Sequence, residues 1–323
     1  MGQRNYKVDI LRSVASILLI LAHVNPPHFI GEVRTFDVVL LAILSGISVS
    51  YSHGYDYKGY LMKRFKRLVL PTYACMAIVF CLSALVCLIL HREQLYSLDV
   101  IVASLFFSDK GMGYIWIVKV YLIMAIFAYL LLRIDRFIKS DYLMLMLIGG
   151  GILIQVLVLK IDAIRRLPIF DDYIAYILPY LIFELIGIRW THNSKKFQNG
   201  VLLSSAVALV ILCIILNGFE PSSFKYPPTH LYIIYGIFAS GILLTLVPNK
   251  RVLIFEYLSK KSFDIYLVHI VVMLVYSICT KVIHIPILQN WIVKFIIIAM
   301  VSVLSAEMMD RIKRVIVQNT KWS

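Results

Sequence analysis

Val8-Asp9-Ile10-Leu11-Arg12-Ser13-Val14-Ala15-Ser16-Ile17-Leu18-Leu19-Ile20-Leu21-Ala22-His23-Val24 is the stretch that decides how this chain is read. It is long and apolar enough for a membrane span, yet it carries an arginine and a histidine. Arg12 and His23 are eleven positions apart, which on a helix is three turns and about 20°, or roughly 16 Å along the axis. Both side chains therefore leave the same face. Ionisable groups in a span are costly and face a bundle interior or a wet cavity. Two on one stripe predict a polar path into the membrane rather than a plain anchor.

The rest of the chain agrees with a membrane environment. Of 323 residues, 61% are hydrophobic and only 15% charged, and the mean hydropathy is +0.85. A water-soluble domain of this length needs far more polar surface. Ten apolar runs stand out, at 8–24, 36–52, 66–90, 114–132, 142–159, 173–190, 200–217, 230–247, 262–280 and 291–309. Each is near the length that crosses a hydrocarbon core of about 30 Å. They are too long and too uniformly apolar for barrel strands, so an all-α polytopic protein of about ten transmembrane helices is expected. No linker, charge block or low-complexity run divides the chain, which predicts a single transmembrane domain over 1–323. No internal repeat is visible, which argues against an inverted-repeat transporter.

The net charge of +14 invites a nucleic-acid reading, but its distribution does not. The N-terminus and the loops after the second, fourth, sixth, eighth and tenth spans hold 21 of the 32 Lys/Arg. The alternate loops hold 8, and Arg12, Lys119 and Lys294 lie within spans. This asymmetry puts both termini in the cytoplasm by the positive-inside rule. The charge is topology, and no nucleic-acid partner is expected. The first span does not read as a cleaved signal peptide, because it contains Arg12 and Leu21-Ala22-His23-Val24 offers no small-residue cleavage site. Cys75, Cys81, Cys87, Cys213 and Cys279 all fall in spans without a CxxC pair. They read as small buried apolar residues, and no metal is expected.

Within this frame several side chains can carry chemistry. Arg12, one turn inside the cytoplasmic end, either snorkels to the interface or clamps a phosphate-bearing ligand. His23, near the opposite end, is either an interfacial residue or a general base suited to neutral pH. Asp37 opens the second span on the same side as His23. It either favours a helix N-terminus or orients His23 and stabilises its imidazolium. Ser45-Gly46 reads as a close packing point. Arg64-Phe65-Lys66-Arg67, with Pro71 just beyond, lies on the side of Arg12 and either fixes topology or shares its phosphate ligand. Tyr266-Leu267-Val268-His269 places a histidine in mid-membrane, where it needs a polar partner or water. Lys119 and Lys294 are expected to snorkel, and Trp116, Trp190 and Trp291 to sit in interfacial belts. Leu98 to Phe107 is expected to form an interfacial helix. The loop 218–229, with Pro221 and Tyr226-Pro227-Pro228, is expected to be extended and stiff. No zinc spacing, Walker sequence or GxSxG elbow is present.

Taken together, these pieces resemble the membrane acyltransferase family called acyltransferase 3, and the resemblance covers nearly the whole chain. Asp9, Arg12 and His23 are similar to the family's D-x-x-R opening with R-x10-H. Phe36-Asp37 through Leu44-Ser45-Gly46 is similar to its second-helix pattern, and Arg64, Arg67 and Pro71 to its R-x-x-R-x-x-x-P stretch. Trp116 and Tyr121 fit an aromatic fourth-helix motif. Lys225-Tyr226-Pro227-Pro228 resembles a late loop of some members, and Ser262 to His269 resembles the S-x-x-x-Y-L-x-H element. The chain departs from the pattern at Leu40-Leu41-Ala42-Ile43, where aromatics are usual. It also lacks the proline that usually follows Glu307, and the fused esterase-like domain of some members, which assigns any second catalytic step to another protein.

The resemblance implies an O-acyltransferase of a bacterial inner membrane. It would move an acetyl group from acetyl-CoA to a hydroxyl of a cell-surface polysaccharide or its lipid-linked precursor, alongside membrane lipids and polysaccharide-assembly proteins. On this reading Arg12, Arg64 and Arg67 bind the CoA phosphates, and His23, oriented by Asp37, takes the proton of the attacking hydroxyl. Ser45, Tyr266, His269 and Trp116 serve substrate or structure. Succinyl rather than acetyl transfer stays open, as does a transporter or flippase of a lipid-linked sugar.

Overall fold

Asn5 starts the first helix by accepting a hydrogen bond from the Val8 N–H at 3.4 Å, which satisfies one of the orphan donors of a helix N-terminus. Asn25 ends the segment. It adopts a left-handed backbone, φ 56°, which asparagine tolerates better than most residues, and Pro26-Pro27 follow. The chain is described by a computed structural model over residues 4–51, 56–89, 91–167, 169–282 and 285–320, with side chains as far as Arg311. The helices are α1 (Tyr6–Leu21), α2 (His28–Val33), α3 (Asp37–Ser50), α4 (Tyr57–Ile89), α5 (Leu98–Leu105), α6 (Trp116–Phe137), α7 (Asp141–Val158), α8 (Asp162–Arg165), α9 (Ala175–Trp190), α10 (Lys195–Ile215), α11 (His230–Leu246), α12 (Leu253–Val282) and α13 (Trp291–Thr320). No strand occurs among the described residues.

Every expected apolar run is helical over most of its described residues, with turns at several of the run ends; residues 52 and 90, at the ends of two of them, lie outside that range. Eight helical stretches among the described residues are long and apolar enough to cross a membrane: 28–50, 57–89, 116–137, 141–158, 170–190, 195–215, 253–282 and 291–311. The other two expected spans are shorter, α1 with 16 residues and α11 with 17, at the lower limit for crossing. The loop 218–229 departs from expectation. It is not extended but coils into a 3₁₀ turn at Pro221–Phe224 and a further turn over 225–228.

The described chain forms two compact units. The first comprises 1–27, 71–97 and 249–323, and the second 28–70 and 98–248. The change of unit inside α4 falls at Pro71, where the ring removes a backbone donor from the helix ladder.

In the first unit α1 packs on α12, and α12 on α13. Ile20, Val24, Ile265, Ile298 and Ala306 form the buried centre. Cys75, on the second half of α4, donates its thiol to the Leu267 carbonyl of α12 at 3.2 Å. Cys75 thus serves as a buried structural residue, and Cys87 is buried too. Cys81 and Cys279 are exposed and Cys213 is half-buried, so the burial expected of all five cysteines holds for two. An apolar run marks a span, not which face of it is covered.

In the second unit α3 and α9 are the central helices. Eleven of the 14 residues of α3 and thirteen of the 16 of α9 are buried, as expected of helices surrounded by others. They touch backbone to backbone where Gly46 meets Gly187. A Cβ built at Gly46 would overlap the Glu184 carbonyl oxygen, and one built at Gly187 would overlap that of Ile43. The packing role expected of Ser45-Gly46 is thus carried by the glycine. Helix α7 buries only Met144, Ile148, Gly151 and Gln155, one narrow stripe at i, i+4, i+7 and i+11. The rest of α7 is the apolar exterior of a membrane protein. Arg189 fastens the end of α9 to the α6–α7 connection. Its guanidinium bonds Asp141 at 2.7 Å, Asp135 at 3.3 Å and the carbonyls of Ile138 and Lys139.

Candidate active site

The partners of Arg12 and His23 lie on one helix. Arg12 donates to the Ser259 hydroxyl of α12 at 3.4 Å. The His23 ring stacks on that of His269, also on α12, with centroids 5.5 Å apart and planes 27° apart. Ser13, next to Arg12, donates to the Phe255 carbonyl at 2.8 Å. Partner numbers rise together along both helices, so α1 and α12 run parallel. The stripe read from the sequence is thus the seam between them, with a polar centre at each end.

At the Arg12 end, Asp9 is buried and accepts from Ser259 at 2.7 Å and from Arg4 at 2.7 Å. Arg4 also lies 3.1 Å from Glu256, which Arg251 and Lys260 each approach at 2.9 Å. Three cationic side chains therefore meet two carboxylates, and Arg12 adds a fourth cation at the shared Ser259 hydroxyl. A positive surplus at a helix end, with one hydroxyl shared between Asp9 and Arg12, suits an anionic ligand. Arg4, Ser259 and Glu256 are site residues that the sequence reading did not name. Ser259 lay three residues before the Ser262–His269 element and just outside the expected span at 262–280.

At the His23 end, His269 is wholly buried. Its Nδ1 donates to the Tyr266 carbonyl, and its Nε2 has no hydrogen-bond partner. The Tyr266 ring lies 5.5 Å from that of His269. His23 itself is half-buried in the turn that follows α1. The two histidines were read separately, one at each of two distant motifs, and the fold makes them neighbours.

The remaining candidates belong to the second unit. Asp37 is fully buried. It accepts from Arg34 at 2.7 Å and from the Val38 N–H at 2.7 Å, and Lys225 lies 3.7 Å away. Here the carboxylate serves a charge cluster inside its own unit, a role the sequence did not suggest. Burial opposes charge on Lys225, but Asp37 outweighs it and holds the ammonium pKa above the ordinary lysine value. That ammonium faces Trp116 at 5.6 Å, Tyr226 at 5.4 Å and Tyr232 at 5.9 Å. Trp116 is therefore not an interfacial belt residue but a buried wall of an aromatic cage, stabilised by cation–π attraction. Lys119 likewise does not snorkel. It is buried, 2.9 Å from Asp109 and 4.2 Å from the Tyr176 ring centre.

Arg64 sits 5.4 Å over the Tyr60 ring. Arg67 is exposed, and Ser45 is half-buried beside the glycine crossing. Among the described residues no group of three His, Cys, Asp or Glu could hold a metal ion.

A family model described as an acyltransferase domain matches residues 5–306, which includes residues of both units. No curated protein and no solved structure matches the chain. The matched range holds the whole α1–α12 seam, the aromatic cage and the glycine crossing. The chain thus belongs to the acyltransferase 3 family, as a multi-pass membrane protein whose chemistry is acyl transfer.

Proposed function

We propose that the protein is an O-acyltransferase of a bacterial inner membrane that moves an acetyl group from acetyl-CoA to a hydroxyl of a cell-surface polysaccharide or its lipid-linked precursor. One observation carries the reading: the α1–α12 seam has an excess of cations at one end and a histidine pair at the other. The two ends lie roughly 16 Å apart along α1, which suits a donor with phosphates at one end and a thioester at the other. The distribution of Lys and Arg among the loops supports cytoplasmic termini, and on that reading the cationic end faces the cytoplasmic pool of donor.

The surplus cations of the cluster fit such a donor. Arg12 with Arg4 would hold its phosphates, and Arg64 and Arg67 are assigned to them by the family resemblance. The donor supplies an activated acyl carbon. His23 takes the proton as the acceptor oxygen attacks that carbon. The C–S bond then breaks, and the proton passes from His23 to the departing thiolate, so the ring ends neutral as it began. Ser45 or a backbone N–H is the candidate for stabilising the oxyanion.

The test is release of CoA by the detergent-purified protein, comparing wild type with His23→Ala and Arg12→Ala. Loss of a general base should lower kcat by about 10²–10⁴-fold. Loss of a charge-assisted hydrogen bond, worth about 1.5–3 kcal/mol, should raise the KM for acetyl-CoA by about 10- to 100-fold. Full activity in His23→Ala refutes the mechanism. A wild-type protein that neither turns over acetyl-CoA nor is thermally stabilised by it refutes the reading and favours transport of a lipid-linked sugar.

A further inference from the structure

The first unit carries an apolar slot that the acyl-transfer reading does not use. Ser13 and Ser16 on α1 and Ala299 on α13 are small residues set among large ones. The gap they leave is a cavity of about 480 Å³ between α1, α12 and α13. Ile20 and Ile265 form its buried floor, and Ile254, Ile296, Met300 and Leu304 form a rim that is between 48% and 60% exposed. An exposed apolar rim on a membrane helix faces hydrocarbon, so the slot fills from the bilayer rather than from water. Its polar lining residues are the two serines, and both hydroxyls are spent on backbone. Ser13 donates to the Asp9 and Phe255 carbonyls at 2.9 and 2.8 Å, and Ser16 to that of Arg12 at 2.8 Å. Among the described lining residues no donor is left for a sugar, an amide or a phosphate.

The dimensions narrow the occupant. Along α13 the lining runs from Phe295 to Leu304, about 14 Å. That is close to one leaflet of a hydrocarbon core about 30 Å thick. The volume spread over this length gives a mean cross-section on the order of 35 Å², less than half that of a helix about 10 Å across. A hydrocarbon chain fits, and a helix does not. Helix α13 runs antiparallel to α12, because Tyr257 donates to Glu307 and Tyr276 to the Leu288 carbonyl. Leu304, Ile254 and Ser13 therefore share the Arg12 end of the slot. There Arg4, Arg12, Arg251 and Lys260 outnumber Asp9 and Glu256 by two. The ion pairs with α13 add Lys261 and Arg311 against Glu307 and Asp310, which leaves that surplus unchanged.

We infer that the slot holds one acyl chain of an anionic diacyl phospholipid from the leaflet on the Arg12 side, with its phosphate drawn to the surplus cations. The chain lies against the stretch of α1 between Arg12 and His23, so the bound lipid props the seam from the α13 side. This site does not depend on acyl transfer, and its test reads binding alone.

The experiment adds lipid to the delipidated full-length protein in detergent and reads the apparent Kd of the first bound molecule by native mass spectrometry. The probes are palmitoyl-oleoyl phosphatidylglycerol, phosphatidylcholine with the same chains, and dihexanoyl phosphatidylglycerol. Wild type should bind the first at least tenfold more tightly than either of the others. Ala299→Phe fills the slot and should weaken that binding at least tenfold. Arg251→Gln combined with Lys260→Gln removes the surplus and should bring the two long-chain lipids within about twofold of each other. If Ala299→Phe does not fold, Met300→Trp at the exposed rim replaces it under the same criterion. Equal affinity for the two long-chain lipids in wild type overturns the proposal, as does dihexanoyl lipid binding as tightly as the long-chain one. Unchanged affinity in the slot-filling variant overturns it too. A dimer of wild type that is lost in Met300→Trp assigns the slot to a second copy of the chain and also overturns it.

Discussion

Gly46→Ala and Gly187→Ala test the contact on which the second unit is built. A Cβ at Gly187 would lie 2.8 Å from the Ile43 carbonyl carbon and 3.1 Å from the Ile47 nitrogen, and one at Gly46 would lie 2.9 Å from the Glu184 carbonyl carbon. Ordinary contact begins at 3.4 Å, and the obstacles are backbone, which cannot rotate away. The two helices must therefore part by roughly 1 Å, disturbing packing along both. Overpacking of this kind costs about 1–3 kcal/mol, and the rigid obstacle puts this case at the upper end. Alanine returns about 1 kcal/mol through its better helix propensity. Each single variant should lose about 2 kcal/mol net. The double variant should lose less than twice that, because helices already parted for one methyl admit the second. Unfolding in mixed micelles by titration with SDS, followed by the fluorescence of Trp116 and Trp190, measures all three. Either single variant within about 0.5 kcal/mol of wild type, the usual bound for an unperturbed site, refutes the reasoning. So does a double variant equal to the sum.

Two further expectations follow from the buried charges. Lys225→Met strands Asp37 with Arg34 alone and removes the centre of the aromatic cage. The loss of one partner of a buried pair should cost about 3–5 kcal/mol, read as a lowered melting temperature. Because the Lys225 pKa is raised in the fold, its stabilisation is fully present below the ordinary lysine value and disappears only as the pH rises through the folded one. The melting temperature should therefore show no pH dependence from this pair between about pH 6 and 9, where its contribution is constant. Arg189→Ala leaves Asp135 and Asp141 without their shared cation and two carbonyls without a donor. It should destabilise by a similar about 3–5 kcal/mol, whereas Arg67→Ala, at an exposed position, should stay within about 0.5 kcal/mol. The same micelle titration separates the two.

The helices were legible because lipid exposure writes hydropathy directly into the chain, and the Arg12–His23 stripe because helical phase is a local property. What failed was anything set by partners distant in sequence. Apolar windows placed α4 at 66–90 and α12 at 262–280, but both helices begin about nine residues earlier, at Tyr57 and Leu253. The backbone ladder does not stop where hydrophobicity does. Ser259 and Glu256 lie in the part of α12 that such a window discards, so the partners of Arg12 and Arg4 went unseen. Lys119 was misjudged for a related reason. Within its own span it has no acid, whereas Asp109 waits ten residues upstream in the preceding loop. Asp37 read as a partner for His23 because the two are close in sequence. Within its own unit the fold engages it with Arg34 and with Lys225, a residue distant in the chain that local reading could not supply.

The parallel α1–α12 seam works as a ruler with a phase. Its two polar centres are joined on α12 by uninterrupted helix from Ser259 to His269, and on α1 by helix as far as Leu21, two residues short of His23. Inserting one residue between Arg12 and His23 would turn His23 by about 100° and shift it by about 1.5 Å, taking the ring off His269. Inserting four would nearly restore the phase but lengthen the ruler by about 6 Å. No insertion preserves both quantities. The eleven-residue interval between Arg12 and His23 is therefore fixed by geometry rather than by the identity of the residues inside it.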